Sequence, residues 1–210
     1  MIDIVKQLEA IHRHVDKRQL DSGEGVGVLL RREYDATAED VWDALTDPDR
    51  VKRWFLPLHG DLKVGGSFQL EGNAGGEILK CERPTLLRVT FGGPTSVVEL
   101  RLTPGDDDVT VLELEHTVPI EIAGSGAGSL FVGPGWDGLL MGLGLFLRGE
   151  VTDDPVAAAN SPEAQEFNVG SIRAWAAVTE ASGTATADEI AGGTAMAYAQ
   201  FAPNHAQENG

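Results

Sequence analysis

Few side chains in this sequence are placed to do chemistry, and the clearest candidate lies in a run of alternating residues. In "VTVLELEHTV", His116 follows Leu112 and Leu114 at period two and shares their face, while Glu113 and Glu115 take the other. An imidazole on an apolar face can transfer a proton near neutral pH or act as a hydrogen-bonded core residue. Glu77, in "GGEILKCE", is the second candidate acid–base group. Arg88 and Glu82 are further charges in strand-like stretches. If Glu77 or Arg88 points inward, it would orient a ligand; alternation does not decide, because the glycines before Glu77 permit a bulge. Spacing sets no serine, aspartate or cysteine beside His116, so no catalytic triad is read.

Other chemistry-bearing patterns are weaker. "GPGWDG", Gly133 to Gly138, matches a dinucleotide fingerprint in form, but Pro134 removes a donor, Trp136 crowds the approach, and no strand follows. The glycines read instead as the entry to a helix. The aspartates of "PGDDD" lack calcium-loop spacing and read as a solvated turn. His12, His14, His59 and His205 show no zinc-ligand spacing, and Cys81 reads as an inert small hydrophobe in a strand. No metal or cofactor is expected.

These groups need elements to hold them. "SFQLEG", "EILKCE", "TLLRVTF", "SVVELRLT" and "VTVLELEHTV" are strand candidates separated by turn residues, preceded by "VGVLLRREYD". In "SVVELRLT", Val98, Leu100 and Leu102 alternate with Glu99 and Arg101, which predicts an antiparallel sheet with one wet face and charge pairs across it. Thr37 with Glu39 and Asp40, then Asp47 with Pro48, mark two helix starts in quick succession. Trp42 anchors the first of these helices; Trp54 and Phe55 end the second. From Trp136, "WDGLLMGLGLFLRGE" predicts a long helix with Leu139, Leu140, Leu143, Phe146 and Leu147 on a broad stripe. Its glycines Gly138, Gly142 and Gly144 each cost about 1 kcal/mol against alanine, a cost that close packing or room beside the helix must offset. Ile4, Leu8, Ile11 and Val15 predict an amphipathic helix from Ile2 to about Arg18, broken by "DSGEG". Two more helices follow Ser161 and join near Gly183.

Composition excludes some partners. The 210 residues carry 33 acidic and 16 basic side chains, a formal net charge of −17, which disfavours nucleic acid and anionic lipid. One cysteine leaves no internal disulfide, the amino terminus lacks the order of a signal peptide, and no uninterrupted apolar run reaches membrane length. A cytoplasmic protein is expected.

The order of strand, two short helices, antiparallel strands and long apolar helix, with "YDATAEDVWDALTDPDRVKRWF", "GNAGGEILKCERP" and "LELEH", resembles the START-like (SRPBCC, helix-grip) superfamily. Within it the chain is similar to the group related to the activator of Hsp90 ATPase and polyketide cyclases. The resemblance implies an α+β fold in which a curved antiparallel sheet grips the long helix around an apolar cavity. It places the domain at residues 24–150, between an N-terminal helix (1–20) and a helical extension (160–203). Trp54 and Phe55 would then sit at the cavity rim. Leu100, Leu112, Leu114, His116, Trp136, Leu140 and Leu143 would line it. The expected function is non-enzymatic binding of a small apolar or amphipathic molecule. The alternatives are a cyclase- or hydrolase-like enzyme using His116 or Glu77, and an Hsp90 co-chaperone. The terminal helices carry stripes that either cap this domain or form a homodimer.

Overall fold

The computed structural model describes residues 2–20, 23–150 and 152–206. Its elements run α1 (Ile4–Glu9), β1 (His12–Leu20), β2 (Gly23–Asp35), α2 (Ala38–Thr46), α3 (Pro48–Val51), β3 (Leu58–Gly60), β4 (Ser67–Leu70), β5 (Gly75–Glu82), β6 (Leu86–Thr90), β7 (Val97–Pro104) and β8 (Val109–Pro119). Helices follow: α4 (Ile120–Ala123), α5 (Ser129–Leu147), α6 (Pro155–Ala159), α7 (Pro162–Ser182) and α8 (Ala187–Phe201). The strands form one eight-stranded antiparallel sheet in the order β1-β2-β8-β7-β6-β5-β4-β3. With the long helix α5 this is the α+β helix-grip arrangement.

The amino-terminal expectation needs correction. Only Ile4–Glu9 is helical, and His12–Leu20 is a strand. Ile11 and Val15, both buried, lie four apart, a separation that fits one face of a helix and one face of a strand equally well. Asp21 and Ser22, where a break was expected, lie outside the described residues. A second correction concerns α5, which begins at Ser129 and carries Pro134 inside it, so "GPGWDG" is helix interior and not a helix entry. Gly126–Leu147 is also long and apolar enough to cross a membrane by length and composition, contrary to expectation, although more than half of it is buried within the protein.

The residues fall into two compact units. One comprises Met1–Leu30, Thr117–Leu140 and Ala157–Gly210; the other comprises Arg31–His116 and Met141–Val156. In the first, Ser161 Oγ caps α7 by accepting from Ala164 N at 3.2 Å, with Pro162 in the first turn. Gly183 ends the helix at φ 65°, a left-handed conformation that suits glycine. Thr186 and Glu189 close a capping box on α8. The α7 residues Phe167, Ile172 and Trp175 are fully buried, and α7 packs on α1, β1 and α8. Val5 of α1 and Met196 of α8 stay exposed.

In the second unit, Thr37 caps α2 and Asp47 caps α3, as their sequence signals predict. Strands β5, β6 and β7 pair with Leu87 opposite Leu100, Val89 opposite Val98 and Arg88 opposite Glu99. The register shifts between Ile78 and Lys80, so the bulge falls just after the glycines. Asp107 and Asp108 adopt positive φ in the exposed β7–β8 turn, a conformation aspartate tolerates better than most residues.

Candidate ligand-binding site

Alternation along β7 and β8 builds the apolar wall of the second unit. Val98, Leu102, Leu112 and Leu114 are buried and Leu100 is half-buried, while Glu99 and Arg101 pair on the opposite face. His116 continues the inward set and is only 3% exposed. Its Nε2 lies 2.8 Å from Ser96 Oγ. Burial pushes the imidazole down to about 4, so it is uncharged at neutral pH. The Phe91 ring meets the imidazole edge-on at 6.0 Å and stacks on Phe68 at 6.3 Å. Phe68, Phe91 and Ser96 are each half-buried, so this row joins a dry histidine to partly accessible rings.

A second aromatic row lies in the same unit. Trp54 stacks with Phe55 at 5.5 Å and with Phe146 of α5 at 6.3 Å, and both Trp54 and Phe55 are half-buried. Trp54 Nε1 donates to Ala44 O at 3.0 Å, which fixes the indole on α2. The guanidinium groups of Arg50 and Arg53 stand 5.4 and 5.3 Å from the Phe146 ring centre. Glycines on α5 make room here: a Cβ on Gly142 would lie 3.4 Å from the Trp54 ring, and one on Gly144 would lie 2.9 Å from Arg32 Nη2. Arg32 is a buried cation over the Tyr34 ring, and burial raises the Tyr34 hydroxyl far above its ordinary value.

Of the residues expected to line the site, Trp54, Phe55, Leu100, Leu112, Leu114, His116 and Leu143 fall in this unit. Trp136 and Leu140 are buried but belong to the first unit. Glu77 is exposed and next to inward Ile78, so it faces solvent and does not meet His116. Arg88 and Glu82 are exposed as well; Glu82 pairs with Lys80 at 2.9 Å and Arg88 with Glu99 at 4.0 Å. These charges border a groove of about 350 Å³ over Leu86 on the wet face. Cys81 is exposed and not a core hydrophobe.

Spacing missed several residues. Ser96 lies two positions before Val98, so extending the β7 alternation by one step would have placed it inward. Arg32 follows Val28 and Leu30 at period two on β2, and the same rule marks it. Asp137 was overlooked beside Trp136, although it is fully buried in the first unit. Its Oδ2 accepts from Arg13 Nε at 2.8 Å, Ser171 Oγ at 2.5 Å and Trp175 Nε1 at 3.1 Å. Asp137 Oδ1 and Arg13 Nη2 are buried without a hydrogen bond. Burial raises the Asp137 carboxyl to about 6 against the pull of Arg13 and the two other donors. Gly133 explains how Trp175 reaches this cluster, because a Cβ there would sit 2.5 Å from the indole ring. The glycines of "GPGWDG" thus admit an aromatic side chain and not a pyrophosphate.

Sheet, helix and inward histidine define a helix-grip protein of the START-like class. Residues 35–145 match the family model described as activator of Hsp90 ATPase homolog 1-like protein, and the chain belongs to that family. The crystal structure of CalU16 from Micromonospora echinospora is 40% identical, over 81% of this chain and 98% of that one, with a TM-score of 0.67. Its solution structure gives 39% identity over 82% and 97%, with a TM-score of 0.68. DynU16, a protein in the dynemicin biosynthetic locus, is 26% identical over 58% of this chain and 47% of its own, with a TM-score of 0.51. No curated protein matches the chain.

Proposed function

We propose that this protein is a cytoplasmic, non-enzymatic binder of a small apolar or amphipathic molecule, held in the second unit. One observation carries the reading: the half-buried rings Trp54, Phe55, Phe68 and Phe91 lie in the unit whose inward face ends in the dry, uncharged His116. Apolar area removed from water contributes about 25 cal/mol per Å², and a few polar groups set orientation. The exposed thiol of Cys81 suits a reducing compartment. An imidazole held near 4 is a weak general base, which disfavours a hydrolytic Ser96–His116 pair at neutral pH. Native mass spectrometry and thermal shift with a panel of fatty acids and terpenoids test the reading. At least one member is expected to bind at 1:1 and raise Tm, and an unbroken run of unliganded spectra would refute it.

A further inference from the structure

We infer that the groove over Leu86 is a further binding site, for a small organic anion whose carboxylate or phosphate oxygens are taken by Arg88 while its body rests on Leu86. The groove lies on the wet face of β5, β6 and β7, so it stands apart from the inward wall and does not depend on a guest held there. Two rows of side chains cross these strands. Lys80, Arg88 and Glu99 stand opposite one another in the first row; Glu82, Leu86 and Arg101 do so in the second. A leucine between two longer charged side chains leaves a hollow, and this one is almost wholly buried at its floor. The hollow measures about 350 Å³, within the range of small-molecule sites.

Charge decides what the hollow takes. The chain has 33 acidic and 16 basic side chains, yet the two rows carry three cations and two carboxylates. Arg101 meets Glu99 at 2.5 Å and Lys80 meets Glu82 at 2.9 Å, which engages both carboxylates. Arg88 is left with its Nε 4.0 Å from Glu99, too far for a hydrogen bond, and it makes none to any described residue. Register adds repulsion. Lys80 is its direct neighbour on β5 and Arg101 its diagonal neighbour on β7, and like charges placed directly opposite are unfavourable. An oxyanion beside Arg88 offsets that repulsion and accepts from a guanidinium fork shaped for two parallel hydrogen bonds. Leu86 adds an apolar floor, which the body of an organic acid can use and inorganic phosphate cannot. The Arg88 side chain is half exposed, so the affinity is modest and falls as salt rises.

Four probes separate the contributions: phenyl phosphate, benzoate, inorganic phosphate and benzyl alcohol, titrated into the nitrogen-15-labelled full chain at pH 7.5 in about 20 mM salt, where screening is weak. Two resonances report binding, the Arg88 Nε–H and the Leu86 backbone amide, and the second serves where arginine is replaced. At least one of phenyl phosphate and benzoate should shift both saturably, about tenfold more tightly than inorganic phosphate, and benzyl alcohol should shift neither. The tighter of the two names the head group. Arg88→Gln, a change at an exposed position, should weaken that binding about tenfold. Glu99→Gln should do the reverse and tighten it about threefold, because it removes the competing carboxylate. Resonances that none of the four probes moves, equal binding of inorganic phosphate or benzyl alcohol, no loss in Arg88→Gln or no gain in Glu99→Gln would each overturn the inference. The reading of the inward site stands or falls separately, on its own panel.

Discussion

In the first unit Arg13 and Asp137 meet at 2.8 Å as a buried ion pair; in the second, Ser96 and His116 meet at the same 2.8 Å with no charge at all. The surroundings differ as much as the chemistry. Three donors converge on one carboxylate oxygen, and the Trp175 ring fills the space that Gly133 leaves, so the first cluster is closed on every side described. The second lies beside half-buried Phe91, which stacks on half-buried Phe68. The charged cluster ties three segments to one carboxylate oxygen while Asp137 Oδ1 and Arg13 Nη2 go without a hydrogen bond, whereas the neutral pair lies next to half-buried rings. One helix shows both uses of glycine: Gly133 is occupied by an indole, and Gly142 lies beside the half-buried Trp54.

The largest effect should come from breaking the charged cluster. Arg13→Met leaves the Asp137 carboxylate buried without its cation, which costs about 3–5 kcal/mol at pH 8. Folding raises this carboxyl from 3.8 to about 6, so its contribution is present below 3.8 and is lost as pH rises through 6. Without Arg13, which holds the carboxyl down, its value rises further, so the penalty of Arg13→Met should shrink in urea melts as pH falls from 8 toward 6 and level off below that. A penalty independent of pH would show that charge is not what the cluster handles.

The neutral pair predicts the opposite slope. Folding lowers the His116 imidazole from 6.5 to about 4, so its contribution is present above 6.5 and is lost as pH falls through 4. The change is on the order of 3 kcal/mol. His116→Gln removes the titration, and its stability profile between pH 7 and 4 should be flatter than that of the unaltered protein by about that amount. Parallel profiles would mean that the imidazole is as well solvated as in the unfolded chain.

These two clusters also mark where the sequence was legible. Period-two alternation placed His116, Leu112 and Leu114 inward, because strand parity is a local rule that the buried face obeys. The same rule, carried two residues further, reaches Ser96 and Arg32. Parity could not give the partner of His116, since a contact between residues 96 and 116 depends on the register of the sheet. Asp137 was hidden for a different reason. A carboxylate on an apolar helix reads as its wet edge until Arg13, 124 residues away, is brought beside it. The amino-terminal strand was misread because Ile11 and Val15 fit both periods, and only pairing with β2 selects one. Glu77 was ambiguous until the bulge position was known.

Glycine substitutions sharpen the contrast with smaller effects. Gly133→Ala drives a methyl group to 2.5 Å from the Trp175 ring, and repacking an indole held by Asp137 should cost roughly 1–3 kcal/mol in thermal or urea melts. Unchanged stability would show that the first unit is less tightly closed than its geometry implies.

The smallest expected change is at Gly142. Its Cβ would lie 3.4 Å from the Trp54 ring, at the edge of ordinary contact, while alanine is the better helix former by about 1 kcal/mol. Gly142→Ala should therefore leave stability equal or raise it by up to about 1 kcal/mol, the reverse of the Gly133 result on the same helix. If the space beside Trp54 admits a guest, the added methyl group narrows it, and a fatty acid or terpenoid that raises the Tm of the unaltered protein should bind more weakly to a protein that is at least as stable. A loss of stability would mean that Trp54 is as firmly seated as Trp175, and the distinction between a packed half and a permissive half of α5 would disappear.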